Sequence, residues 1–152
     1  MYRRRKFLGR YSKPKKNYQI MRPWWVIQGT SQNGYQTIID PTTVTGVRKT
    51  KNFSIEFGNL SADSDQVIVW ALVYVPSGYT PNKIGDPGAT VYTPTNNVIM
   101  SGIYDSADPG NTSRRMTRLS RLLNAGDGIA LVYKSSANPA KVRIQVTYAI
   151  AL

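Results

Sequence analysis

Nine basic side chains fall within the first 22 residues: Arg3, Arg4, Arg5, Lys6, Arg10, Lys13, Lys15, Lys16 and Arg22. No acid accompanies them, and the first carboxylate of the chain is Asp40. Four rings, Tyr2, Phe7, Tyr11 and Tyr18, are interleaved with the cations. Cations at this density bind phosphates by displacing counterions. Rings between them can stack on unpaired bases, at about 1–3 kcal/mol per base. The chemistry is that of a polyanion binder, with nucleic acid as the expected partner. A membrane surface fits less well. The apolar residues of the arm do not recur at helical spacing, and Gly9 and Pro14 interrupt any helix, so no amphipathic face forms and no membrane insertion is expected.

The rest of the composition limits catalysis. The chain has 152 residues, 20 of them basic and 8 acidic, for a net charge of +12, and it contains no Cys and no His. Zinc fingers, thiol nucleophiles, Ser-His-Asp triads and imidazole metal sites are excluded. Glu56 is the sole glutamate. Asp63 with Asp65, and Asp105 with Asp108, could chelate a divalent cation, but such pairs ordinarily form solvated turns. The chain is expected to be no enzyme, with no catalytic residue, no cofactor and no metal. Three Asn-x-Ser/Thr triplets begin at Asn52, Asn59 and Asn111. No apolar run follows the basic start, so a secretory leader is not expected and the triplets read as chance matches.

Nine of the twelve net charges thus sit in residues 1–22. Residues 23–152 carry eleven basic and eight acidic residues, only +3. The division predicts a basic arm over 1–22, disordered until a polyanion neutralises it, and one folded domain over 23–152.

The domain reads as strands. Short β-branched and aromatic runs alternate with turn clusters: Trp24–Gln28, Tyr35–Ile39, Val44–Phe57, Val67–Val75, Val98–Tyr104, Ile129–Tyr133 and Val142–Ile150. Phe53, Ile55 and Phe57 alternate with Ser54 and Glu56. Val142, Ile144, Val146, Tyr148 and Ile150 alternate with Arg143, Gln145, Thr147 and Ala149, the pattern of a strand with one wet face. Val67–Val75 (VIVWALVYV) is apolar throughout and is expected to be a central strand buried on both faces. Arg114–Leu123 fits either a helical stripe or a strand. Counting it gives eight strands with no βα alternation. The expected fold is all-β, a single eight-stranded antiparallel jelly-roll sandwich with a basic N-terminal arm. The long segment 79–97, rich in Pro, Gly, Asn and Thr, is expected to contact a partner.

Several stretches, in order along nearly the whole chain, resemble the coat proteins of small circular single-stranded DNA viruses that encode a replication initiator, the circovirus-like CRESS-DNA group. They are the Arg/Lys-rich start with Trp24-Trp25-Val26-Ile27, then Thr43-Val44-Thr45-Gly46-Val47-Arg48, then VIVWALVYV. Tyr92-Thr93-Pro94-Thr95-Asn96-Asn97-Val98-Ile99 with Gly102 follows, and last Arg121-Leu122-Leu123-Asn124-Ala125-Gly126-Asp127-Gly128-Ile129. The chain departs from the pattern at Lys49-Thr50-Lys51, where relatives often carry Trp, and it is shorter than many of them.

The resemblance implies sixty copies of one jelly roll closing into a T=1 icosahedral shell. It implies a homo-oligomeric virion protein whose arm binds the packaged single-stranded DNA genome. It also implies that the arm engages a host nuclear import receptor, with assembly in the host nucleus. Sixty arms of charge +9 carry about 540 positive charges against roughly one negative charge per nucleotide, so inner-wall cations are expected to assist. The candidates are Arg48, Lys49, Lys51, Arg114, Arg115, Arg118 and Arg121. Closed shells need heterologous contacts between copies, and Tyr79, Pro81, Tyr92 and Pro94 are candidate anchors for the subunit interface. Two other readings fit the charge. One is a non-assembling single-stranded nucleic-acid-binding barrel of OB or ribosomal type, although an OB-fold needs only five strands. The other is a β-sandwich lectin with a basic tail.

Overall fold

β-branched and aromatic side chains pack well on a pleated surface and lose rotamer freedom in a helix. The runs rich in them all become strands. The computed structural model describes residues 17–29, 33–42, 46–60, 66–81, 83–84, 97–108, 113–136 and 140–151. Among these are nine strands and no helix: β1 (Gln19–Met21), β2 (Trp24–Gly29), β3 (Asn33–Ile39), β4 (Arg48–Asn59), β5 (Val67–Val75), β6 (Val98–Asp105), β7 (Arg114–Leu123), β8 (Gly128–Ser135) and β9 (Ala140–Ala151).

Nine strands fill eight lanes. β1 and β2 both pair antiparallel with β9 and are separated only by Arg22-Pro23, where proline has no N–H to donate. The Val146 amide donates to the Pro23 carbonyl at 3.0 Å, which holds the lane to the sheet across the break. One sheet runs β1/β2, β9, β4, β7, and the other runs β3, β8, β5, β6, all antiparallel. From β2 onward the chain changes sheet at every step except β5 to β6, which are neighbours. This is the connectivity of a jelly roll, and the expected all-β sandwich is the fold.

Between the sheets lies an aromatic core. Phe57 stacks on Tyr104 with centroids 5.1 Å apart and tilts against Trp70 at 5.5 Å, while Phe53 stacks on Tyr148 at 5.9 Å. Such pairs contribute about 0.5–1.5 kcal/mol beyond the area they bury. Phe53, Ile55, Ile68, Trp70, Leu72, Leu131, Ile144 and Val146 are fully sealed from solvent. Gly102 makes room for the largest of them: a Cβ there would stand 2.8 Å from Trp70 Cζ2. The Phe53-Ile55-Phe57 alternation is reset by a bulge at Asn52, whose φ of 57° is left-handed. Asparagine enters that region more readily than other non-glycine residues.

Three expectations change. Residues 19–21, assigned to the arm, are strand β1. Val67–Val75 is not buried on both faces: Ile68, Trp70 and Leu72 point inward, but Val67 and Val69 are each 37% exposed, because only the middle of the strand is covered from outside. Arg114–Leu123 is strand, since β4 offers it a ladder from Arg48↔Leu123 to Glu56↔Arg114.

Candidate nucleic-acid interface

The sequence places basic candidates on two separate segments, 48–51 and 114–121. The ladder makes them one surface, because β4 and β7 are neighbours. Strand alternation then sorts them. Lys49, Lys51, Arg114 and Arg118 fall on the outer face of the sheet. Arg48, Arg115 and Arg121 fall on the side of the core, with Arg115 reaching solvent at the sheet edge.

Arg48 leaves the candidate set. It is 8% exposed, and its guanidinium is committed to the backbone. Nη1 donates to the Asp40 carbonyl at 3.3 Å and Nη2 to the Asp127 carbonyl at 2.9 Å. Asp127 is itself a junction. Its Oδ1 accepts from the Ser77 amide at 3.1 Å, and its Oδ2 accepts from the Asn124 amide at 2.8 Å and Asn124 Nδ2 at 3.2 Å. Burial by itself would raise the Asp127 pKa. Donors from Asn124, Tyr74 and Ser77 outweigh burial and hold it below the ordinary value of 3.8. The same carboxylate, after the larger effect of burial, raises the Tyr74 pKa. Arg121 is half-buried, and its carbonyl accepts from Thr50 Oγ1 at 3.2 Å.

β9 adds residues that the sequence reading did not single out. Lys141 and Arg143 lie on its outer side, opposite Gln28 and Val26 of β2. The register builds cross-strand rows. Trp24, Gln145, Glu56 and Arg114 form one; Val26, Arg143 and Gly58 the next; Thr147, Ser54 and Met116 another; and Ile20, Ala149, Lys51 and Ser120 a fourth. Of the outward positions on the middle lanes, Thr147, Ala149, Ala151, Ser54 and Gly58 are short, while Lys141, Arg143, Gln145, Lys49, Lys51 and Glu56 are long. The outer lanes carry long ones, Ile20 and Trp24 on one side and Met116, Leu122 and the arginines on the other.

Six cations project from this face, Lys49, Lys51, Arg114, Arg118, Lys141 and Arg143, against one carboxylate, Glu56, among the described residues. Arg143 Nη2 donates to Gln145 Oε1 at 3.0 Å, and Arg114 Nε to Ser54 Oγ at 3.3 Å. Both acceptors are neutral, so neither hydrogen bond offsets the positive charge of its guanidinium, and Glu56 stands opposite Arg114 in the ladder. Lys51 Nζ sits 3.8 Å from the centroid of the Tyr18 ring, a cation–π contact that ties the start of the described chain to this face. The signal for Arg143 was present in the alternation of β9. Only the pairing of β9 with both β2 and β4 reveals that it joins Lys49 and Lys51.

Of the arm cations, Arg22 is exposed between β1 and β2. Arg3, Arg4, Arg5, Lys6, Arg10, Lys13, Lys15 and Lys16 lie outside the described residues, as do Tyr92 and Pro94. Tyr79 and Pro81 line a groove of about 410 Å³ on the other sheet, with Tyr35, Thr37, Val75 and Ala130. Beyond them the Ile84 carbonyl accepts from Asn33 Nδ2 at 3.3 Å, so this segment lies along its own sandwich. Asp105 Oδ1 accepts from the Ala107 amide at 2.9 Å, as in a turn. No group of three or more potential metal ligands occurs among the described residues, and no helix there is long and apolar enough to cross a membrane. Neither the protein-family models nor the curated proteins contain a match to this chain.

Proposed function

We propose that this chain is a viral coat protein of the circular single-stranded DNA type, which self-assembles into a small icosahedral shell and packages its genome through the arm and the cationic face. One observation carries the reading. Tyr18, which follows the basic arm in sequence, packs on Lys51 of the outer face of the β1/β2-β9-β4-β7 sheet, where six cations stand. The arm, by its sequence, and this face offer cations to the same kind of polyanion, and the jelly-roll scaffold has the shape from which such shells are built. Binding rests on phosphate neutralisation, so it is weakly sequence-specific and falls steeply with salt. The arm also serves as a nuclear-import signal, and the protein ends in the virion.

Light scattering with absorbance at 260 and 280 nm tests the proposal. The full chain is expected to form particles near 1 MDa, the mass of sixty 17.0 kDa subunits, containing nucleic acid. Replacing the eight cations of residues 1–16 by serine is expected to give empty particles or smaller oligomers. The substitution stops at residue 16 because β1 is part of the sheet. A 17 kDa monomer at every protein concentration, salt and level of added single-stranded DNA overturns the proposal in favour of a non-assembling nucleic-acid binder.

A further inference from the structure

The consecutive tryptophans of β2 have opposite fates. Strand alternation turns Trp25 toward the core and Trp24 outward, where it remains 65% exposed on the edge lane of the cationic face. An exposed indole at the edge of a sheet is unusual, since tryptophan is normally largely buried. Its surroundings are not those of a purely apolar patch. Gln145 stands directly opposite it, and Arg143, held on Gln145 at 3.0 Å, is its diagonal neighbour. On the next lane Gly58 carries no side chain and has nothing within 4 Å of where a Cβ would be, so the floor beside Arg143 is open.

We infer that Trp24 is a stacking platform for an unpaired base, with Arg143 holding the adjoining phosphate, so that the folded domain itself selects single strands over duplex. The inference rests on the nucleic-acid reading of this face. A polyanion is the occupant that matches six cations and one carboxylate. A base with a free π-face is the part of it that matches an indole. A duplex offers its phosphates to the same cations, but its bases are already stacked on one another. The cations therefore set affinity and salt dependence for both forms, while Trp24 acts on the single strand alone.

The test compares the full chain with Trp24→Ala and Trp24→Phe, binding a 20-nucleotide oligothymidine and a duplex of equal length across a salt series. Trp24 is the one exposed indole of the three, so its emission is expected to be quenched by the oligothymidine. Trp24→Ala is expected to lose about 5- to 100-fold in single-strand affinity. Duplex affinity, salt slope, melting temperature and particle mass should stay unchanged, and Trp24→Phe should recover most of the loss. Equal single-strand binding by wild type and Trp24→Ala overturns the inference and leaves the nucleic-acid reading standing. Loss of particles with unchanged binding also overturns it and makes Trp24 a subunit contact. A full chain that binds neither nucleic acid overturns both.

Discussion

The outer faces of the two sheets are built from the same kind of strand and have opposite surfaces. On the β1/β2-β9-β4-β7 sheet the outward positions carry Lys49, Lys51, Arg114, Arg118, Lys141 and Arg143. On the β3-β8-β5-β6 sheet they carry Val67, Val69, Val73, Ala130, Val132 and Ile103, the last 52% exposed, with Lys134 and Asp105 as the charged members. A net charge of only +3 over residues 23–152 conceals this division. The lesson is that partner choice depends on where alternation and register send the charges, since the field of a one-signed face acts on a ligand within a Debye length of about 8–10 Å. The first face is suited to a polyanion and the second to packing.

The largest expected effect comes from removing what holds the two faces in place. The Asp127 backbone carbonyl accepts from Arg48 at the start of β4 and its carboxylate accepts from Tyr74 and Ser77 around the end of β5, so residue 127 ties one sheet to the other and its side chain holds the β5 half of the tie. Asp127→Asn presents an amide to the donors of Asn124 and is expected to cost about 3 kcal/mol in urea unfolding. The Asp127 pKa is depressed in the folded state. Its contribution is therefore complete above the unfolded value near 3.8 and is lost as pH falls through the lower folded value. Wild-type stability should decline across that acid range more steeply than that of Asp127→Asn.

The contrast between faces is broken most directly by charge. Lys49→Glu, Lys51→Glu and Arg143→Glu together are expected to weaken binding of a single-stranded oligonucleotide by at least about tenfold. The salt slope should fall by roughly 2, since each phosphate that a cation neutralises on a single strand adds about 0.7 to it. The matching triple change on the other sheet, Val67→Ser, Val69→Ser and Ile103→Ser, should leave both quantities unaltered. Anisotropy titrations at several salt concentrations measure both.

The smallest effect sharpens the assignment of faces. The bulge at Asn52 keeps Phe53, Ile55 and Phe57 inward while Lys49 and Lys51 stay outward. Asn52→Val must adopt a left-handed φ with a branched side chain and is expected to cost about 1–2 kcal/mol of stability. Asn52→Gly is expected to stay within a few tenths of a kcal/mol of wild type. Thermal melting distinguishes the two.

The all-β class, seven of the strand cores and the inward set of β9 are legible in the residues alone, because period-two burial is a local property of alternating side chains. So is the concentration of positive charge at the start of the chain. Tertiary structure alone decided that 114–123 is strand, because its backbone groups are satisfied by β4 and not by its own turns. Pairing with β9 drew residues 19–21 out of the arm. Arg48 left the candidate set because its guanidinium is held by the nearby Asp40 carbonyl and by the Asp127 carbonyl 79 residues away, and no local pattern encodes the second. Arg143 and Trp24 joined Lys49 and Lys51 on one face because β9 lies between β2 and β4. Such adjacency depends on which lanes the chain chooses in the sandwich, a non-local outcome that neither composition nor spacing along the chain specifies.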